Sequence, residues 1–401
     1  MQLYRGDIVK PDTIIEDGVV IVENGKITYA GAANESEIEQ TLGKLAPALP
    51  QATNEYLLPG FVDIHNHGGG GASFPDCTTA DEVKTAAAEH LKNGTTTLIA
   101  SMVTAAKETL LKRAALLADV ADEGIIAGIH CEGPFCSYQY RGAQSPEYLI
   151  PGDPQFVHDL AKAARGYLRT MTVAPEIPGV AGPGGAAEAL IAEGAIPSLG
   201  HTGATVEQAE QLIKEVTAGL AGSGRRMTVT HLFNGMPPMH HRSPGPVAAC
   251  LAAAGRGGVV VELVADGIHL DPGTVRSVHS LVGGENVAFV TDAMAATGMA
   301  DGAYVLGPMA VVVKSGVARL KNTENPDDWE AGAIAGGTAH LIDEVRLATK
   351  NGLSLPAAVR SASLTPATAL GFTEVGALEA GRKADIIRLD KDLNILEVIK
   401  S

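Results

Sequence analysis

Six residues of this 401-residue chain could bind a metal or move a proton, and each closes a short apolar run. His65 and His67 follow Phe61-Val62-Asp63-Ile64, and Glu132 follows Ile129-His130-Cys131. His201 ends Leu199-Gly200, His231 ends Val229-Thr230, and Asp292 ends Val290-Thr291. Taken singly these are ordinary: an isolated histidine is usually a hydrogen-bonded core residue, and a lone glutamate after a strand a cap or surface group. The His-x-His pair differs, because side chains of an extended segment repeat every two residues and so place both imidazoles on one face. Neutral imidazoles with a carboxylate are the ligand set of a catalytic zinc-type site that keeps a position open for water. Coordination lowers the pKa of such a water towards ~7, and Asp292 could take its proton and return it to a departing amine.

These residues act together only if the elements before them point the same way. The pattern predicts eight strands: 61–64, 95–100, 125–130, 171–174, 196–199, 227–230, 259–263 and 287–291, with helical patterns between most of them. Capping boxes at Thr79-Ala80-Asp81-Glu82 and Thr205-Val206-Glu207-Gln208 mark two helix starts. This alternation is that of a (β/α)₈ TIM-like barrel, whose reactive groups sit at the C-terminal ends of its strands. All six candidates fall there. Short β-type runs at both chain ends, with a turn at Glu23-Asn24-Gly25-Lys26, predict a small β-sandwich domain from residues 1–58 and 374–401 beside a barrel of 59–373.

Composition excludes other classes. With 45% hydrophobic and 19% charged residues the chain is globular, and its net charge of −16 argues against nucleic-acid or anionic-membrane binding. No apolar run approaches the ~20 residues of a membrane span. Cys77, Cys131, Cys136 and Cys250 show no CxxC pair and are expected as reduced, buried thiols of a soluble cytoplasmic protein, Cys131 pointing away from the mouth.

The sequence resembles the amidohydrolase superfamily and, within it, the N-acetylglucosamine-6-phosphate deacetylases. Pro59-Gly60-Phe61-Val62-Asp63-Ile64-His65-Asn66-His67 and Gly376 to Asp385 carry the general likeness. His130-Cys131-Glu132-Gly133-Pro134-Phe135, Gly200-His201-Thr202, His231 to Pro237, Ala265 to His269 and Val290 to Ala293 carry the specific one. The resemblance implies Glu132, His201 and His231 as ligands of a divalent metal, Zn²⁺ above others, and Asp292 as acid and base. It implies Asn234, Gly235 and Arg242 around a substrate phosphate, and a homodimer in which His269 reaches the neighbouring subunit's site. It also implies sugar-contacting loops at Ala143 and at Ile334, Ala335, Gly336 and Gly337.

Two departures matter. Some relatives lack the His pair and use one metal; here His65 and His67 allow a second, bridged through Glu132. Some relatives carry a carbonyl-polarising histidine where this chain has Gln144, which can donate an N–H but cannot be cationic; a second metal is expected to replace it. The rival readings are another metal-dependent amidohydrolase (dihydroorotase, allantoinase or N-acyl-amino-acid hydrolase type) and a non-catalytic sugar-phosphate sensor.

Overall fold

The runs between Pro59 and Thr291 become eight consecutive parallel strands: Phe61–Asn66, Thr95–Val103, Gly128–Glu132, Leu168–Val173, Ile196–Leu199, Met227–Val229, Val259–Leu263 and Val287–Phe289. The computed structural model describes residues 1–44, 46–322, 325 and 328–401. First and last strands meet just beyond their ends, where His67 N–H donates to the Ala293 carbonyl at 2.7 Å and Asp292 N–H to that of His65 at 3.0 Å. The expected barrel is therefore present, and the backbone that closes it carries three of the candidate residues. Covered on both faces, its strands are buried along nearly their whole length and carry apolar runs such as Val259-Val260-Val261.

Helices pack outside. Both capping boxes form, opening Ala80–Lys92 and Val206–Gly219, each reciprocal cap being worth about 1 kcal/mol over alanine. Beneath the mouth the barrel interior turns polar but satisfied: His130 lies between the hydroxyls of Ser101 and Thr172, both at 2.9 Å. Thr172 continues to Thr230 at 2.8 Å, and Thr230 to Ser198 at 2.7 Å. This hydrogen-bonded floor keeps the strand ends in register under the site.

The chain ends build one six-stranded sheet, in the order Ile395–Ile399, Ile386–Leu389, Tyr56–Pro59, Gln2–Val9, Ile14–Glu23, Lys26–Ala32. It is apolar on both faces: Val20 and Val22 pack with Leu57 and Ile386, while Val19 and Ile21 are covered by Ile38 of the helix Glu35–Leu42. That helix was not expected. Nor was a three-stranded antiparallel sheet after the eighth barrel strand, Gly302–Leu306, Met309–Lys314 and Val317–Leu320, although Ser315-Gly316 is a hairpin signal. Among the described residues no helix is long and apolar enough to cross a membrane.

Candidate active site at the barrel mouth

The structure brings the five expected metal ligands into two sets that share one carboxylate: His65, His67 and Glu132, and Glu132, His201 and His231. Glu132 Oε1 lies 2.8 Å from Nε2 of both His201 and His231. Its Oε2 lies 3.2 Å from Nε2 of His67. All five side chains are buried. Asp292 faces the first set, with Oδ1 at 3.5 Å from His65 Nε2 and 3.2 Å from His67 Nε2.

Whether these residues suit a cation is decided by their other ring nitrogens. His65 Nδ1 faces Glu262 Oε2 at 3.2 Å, His67 Nδ1 the Ser101 carbonyl at 3.2 Å, and His201 Nδ1 the Tyr140 carbonyl at 2.9 Å. Each partner accepts, so each Nδ1 carries a proton, and a ring holding that proton alone turns its Nε2 lone pair to the centre. The His65 and His67 Nε2 lone pairs then oppose each other at 3.1 Å; His201 Nε2 lies 3.1 Å from that of His231, whose Nδ1 has no hydrogen-bond partner among the described residues and does not fix its tautomer. Paired lone pairs beside a buried carboxylate repel without a positive charge between them. The donor set fits a divalent metal.

Backbone geometry contributes too. His201, His231 and Asp292 have φ of 45°, 25° and 46°, in the left-handed region that side chains usually avoid. The turns they make swing all three side chains off the strand ends and into one cavity of about 250 Å³. Such strain concentrates where surrounding structure over-determines it.

Electrostatics follow the packing. Burial alone would depress His65, His67 and His201, but the carboxylates of Asp292 and Glu132 outweigh it and hold all three above the ordinary imidazole value. Burial would raise Glu132 and Asp292; the facing histidines instead hold both carboxyls below their usual range. His130 is pushed well below the ordinary value by burial and by the charge of His65, and stays neutral. A pH dependence results. Raised histidines stabilise the metal-free fold fully below the unfolded value of ~6.5, and that contribution is lost as pH rises through the raised folded values. A divalent cation takes the place of those protons, so the gap in Tm between metal-loaded and chelator-treated protein should widen from about pH 6 to about pH 8.5. A gap that is flat or narrows over that range would contradict the ligand assignment.

Seven of the ten expected substrate contacts line the cavity: Ala143, Gln144, Asn234, Gly235, His269, Ile334 and Gly336. Three do not. Ala335 is fully buried with Met294 and Val311 behind the wall. Gly337 supports from the rear, its N–H donating to the Asp292 carbonyl at 2.6 Å; a Cβ there would stand 2.3 Å from the Thr291 carbonyl oxygen. Arg242 is exposed on the loop after Pro237, outside the cavity, and among the described residues no Lys or Arg lines it.

His269 requires a correction. The expectation had it reaching a neighbouring subunit, but its side chain lines the cavity of its own chain, with Nε2 3.8 Å from Asp292 Oδ2. The cause is local: Asp266 accepts from the N–H groups of Ile268 and His269 and holds His269 Nδ1, each at 2.8 Å, folding the loop inward. Asp266 also raises the imidazole against the effect of burial. The sequence reading missed Glu262, which pairs with His65 and accepts the His231 N–H at 3.3 Å. Its signal was present, an acid inside Val259-Val260-Val261-Glu262-Leu263. It also missed Leu306 and Ala333, cavity residues brought by the three-stranded insertion and the segment after it. Cys131 is buried away from the mouth, as expected, and all four cysteines are free.

Residues 56–401 match the Amidohydrolase family model. A variant of the N-acetyl-D-glucosamine-6-phosphate deacetylase of Mycobacterium smegmatis, solved in complex with N-acetyl-D-glucosamine-6-phosphate, superposes with a TM-score of 0.86 at 36% identity, covering 100% of this chain and 97% of that one. The N-acetylglucosamine-6-phosphate deacetylase of Lysinibacillus sphaericus is 31% identical over 88% of this chain and 86% of its own length. An N-acetylgalactosamine-6-phosphate deacetylase of Escherichia coli is 31% identical over 86% of each. With the barrel, the shared carboxylate and these likenesses, the chain belongs to the amidohydrolase family, in the branch of the N-acetylglucosamine-6-phosphate deacetylases.

Proposed function

We propose that this chain hydrolyses the acetamide of N-acetylglucosamine 6-phosphate to acetate and glucosamine 6-phosphate. The observation that supports it most is Glu132, shared between two ligand pairs with Asp292 set against one of them. Glu132, His65, His67, His201 and His231 would hold Zn²⁺, one ion in each set. When bound, the metal supplies Lewis acidity to a carbonyl oxygen or to a water. The rest falls to the chain. Asp292, ionised at neutral pH, takes the proton of the attacking water and delivers it to the amine nitrogen as the C–N bond breaks. His269, oriented by Asp266, presents Nε2 to the sugar, while Asn234 and Gly235 receive the phosphate end. Ala143, Ile334 and Gly336 shape the wall against the ring.

The cavity offers that phosphate no Lys or Arg of its own among the described residues. In the homodimer we propose, Arg242 of a second copy supplies the charge, a planar fork suited to phosphate oxygens. Sedimentation as a 41.2 kDa monomer at assay concentration would remove this part. The four free buried thiols suit the reducing cytoplasm, where we place the reaction.

The galactosamine epimer is a second reading, favoured by the E. coli relative. Steady-state kinetics on both phosphorylated sugars and on unphosphorylated N-acetylglucosamine test the proposal. A phosphate lost from an electrostatic subsite costs about 10²-fold or more in kcat/KM. Equal rates with and without the phosphate would refute phosphate recognition; a preference for the galacto sugar would favour the second reading.

A further inference from the structure

Gln144 stands where an electrophile for the acetyl carbonyl was expected, yet its amide is already engaged. It is 3% exposed, in the loop that leaves the third strand. Its Oε1 accepts the Thr104 backbone N–H at 2.8 Å, and its Nε2 donates to Glu132 Oε2 at 2.7 Å. Because a backbone N–H can only donate, the oxygen must face Thr104, and the NH₂ must face the carboxylate. Thr104, just after the second strand, in turn donates its hydroxyl to the Glu132 carbonyl at 3.2 Å, so the segments that follow the second and third strands together hold both ends of that residue.

The consequence lies in how Glu132 is shared. Its Oε1 serves His201 and His231, while Oε2 faces His67 and takes the Gln144 hydrogen bond. Rotation of the carboxylate would bring Oε2 towards the His201 pair and withdraw it from His67. Gln144 opposes that rotation. We infer that Gln144 is a positioning residue for the shared carboxylate, setting metal occupancy of the His65/His67 set rather than polarising the substrate carbonyl. The inference rests on the metal reading above but not on the identity of the sugar.

The test is Gln144→Leu, which removes both hydrogen bonds at similar volume, with Gln144→Asn as a milder variant whose amide is too short to span both partners. Zn²⁺ titration of chelator-treated protein should give two ions per parent chain. In the variants the more weakly bound ion should lose ~10–100-fold in affinity, the usual cost of removing a partner that orients a metal ligand, while the tighter one is little changed. Excess Zn²⁺ should then return kcat to near the parent value without a change in KM. Unchanged affinity for both ions, with a loss of kcat that saturating Zn²⁺ does not repair, would overturn the inference and make Gln144 the carbonyl donor. A parent chain that binds one ion at saturation would also overturn it. Should the parent bind two ions but release no acetate, the proposed substrate fails while this inference stands.

Discussion

Asp292→Asn is expected to keep its metal and its substrate affinity while kcat falls by ~10²–10⁴-fold, the usual worth of a positioned acid and base. The substitution is close to isosteric, and asparagine tolerates the left-handed φ of 46° at this position better than most residues. Its N–H to the His65 carbonyl, at 3.0 Å, is a backbone bond and survives. What disappears is the group that accepts a proton. In the parent, His65 and His67 hold the Asp292 carboxyl well below its usual range against the effect of burial, so it is ionised and ready to accept. An amide cannot take that proton at any working pH. Elemental analysis paired with kcat at saturating substrate decides the matter: near-parent turnover in a metal-loaded variant would remove Asp292 from the chemistry.

Glu132→Gln should be more damaging, because it is the one residue common to both ligand sets. The neutral amide removes the negative charge that His201 and His231 both face at 2.8 Å, and it places an NH₂ near one of the imidazole pairs. Metal content should fall below one ion per chain at micromolar metal, with kcat/KM down by about 10³-fold or more, several kcal/mol of transition-state stabilisation being lost. The fold should persist, since the hydroxyl floor beneath and the apolar helix packing do not depend on that charge. Two retained ions with an unchanged rate would show that Glu132 is not the bridge.

The barrel was legible because its strands are largely apolar runs of strand length, five of the eight leading into a histidine or an acid. Strand periodicity alone placed His65 and His67 on one face, and their Nε2 atoms lie 3.1 Å apart. Other features lay beyond local patterns. The left-handed φ at His201, His231 and Asp292 belongs to non-glycine residues, so composition gives no sign of it. The amide of Gln144 meets Glu132 only because one loop folds back over the third strand, and sequence spacing shows no such contact. His269 was assigned to a neighbouring chain from resemblance; the turn at Asp266, readable in Ala265-Asp266-Gly267-Ile268-His269, directs it into its own. The helix Glu35–Leu42 escaped notice because it buries only Ile38, too little to leave an apolar stripe. Glu262 could have been found, since a carboxylate inside a fully buried strand needs a partner.

The central claim is that the two ligand sets and Asp292 together cleave an acetamide. It is tested most directly by following the acetyl methyl resonance of N-acetylglucosamine 6-phosphate by NMR, with Zn²⁺-loaded and chelator-treated protein side by side. With the loaded protein the signal is expected to convert to that of free acetate, matched one for one by new primary amine. Treated protein should give none, and restoring the metal should restore the reaction. An unchanged acetyl signal with two ions bound per chain, or equal conversion after the metal has been removed, would contradict it.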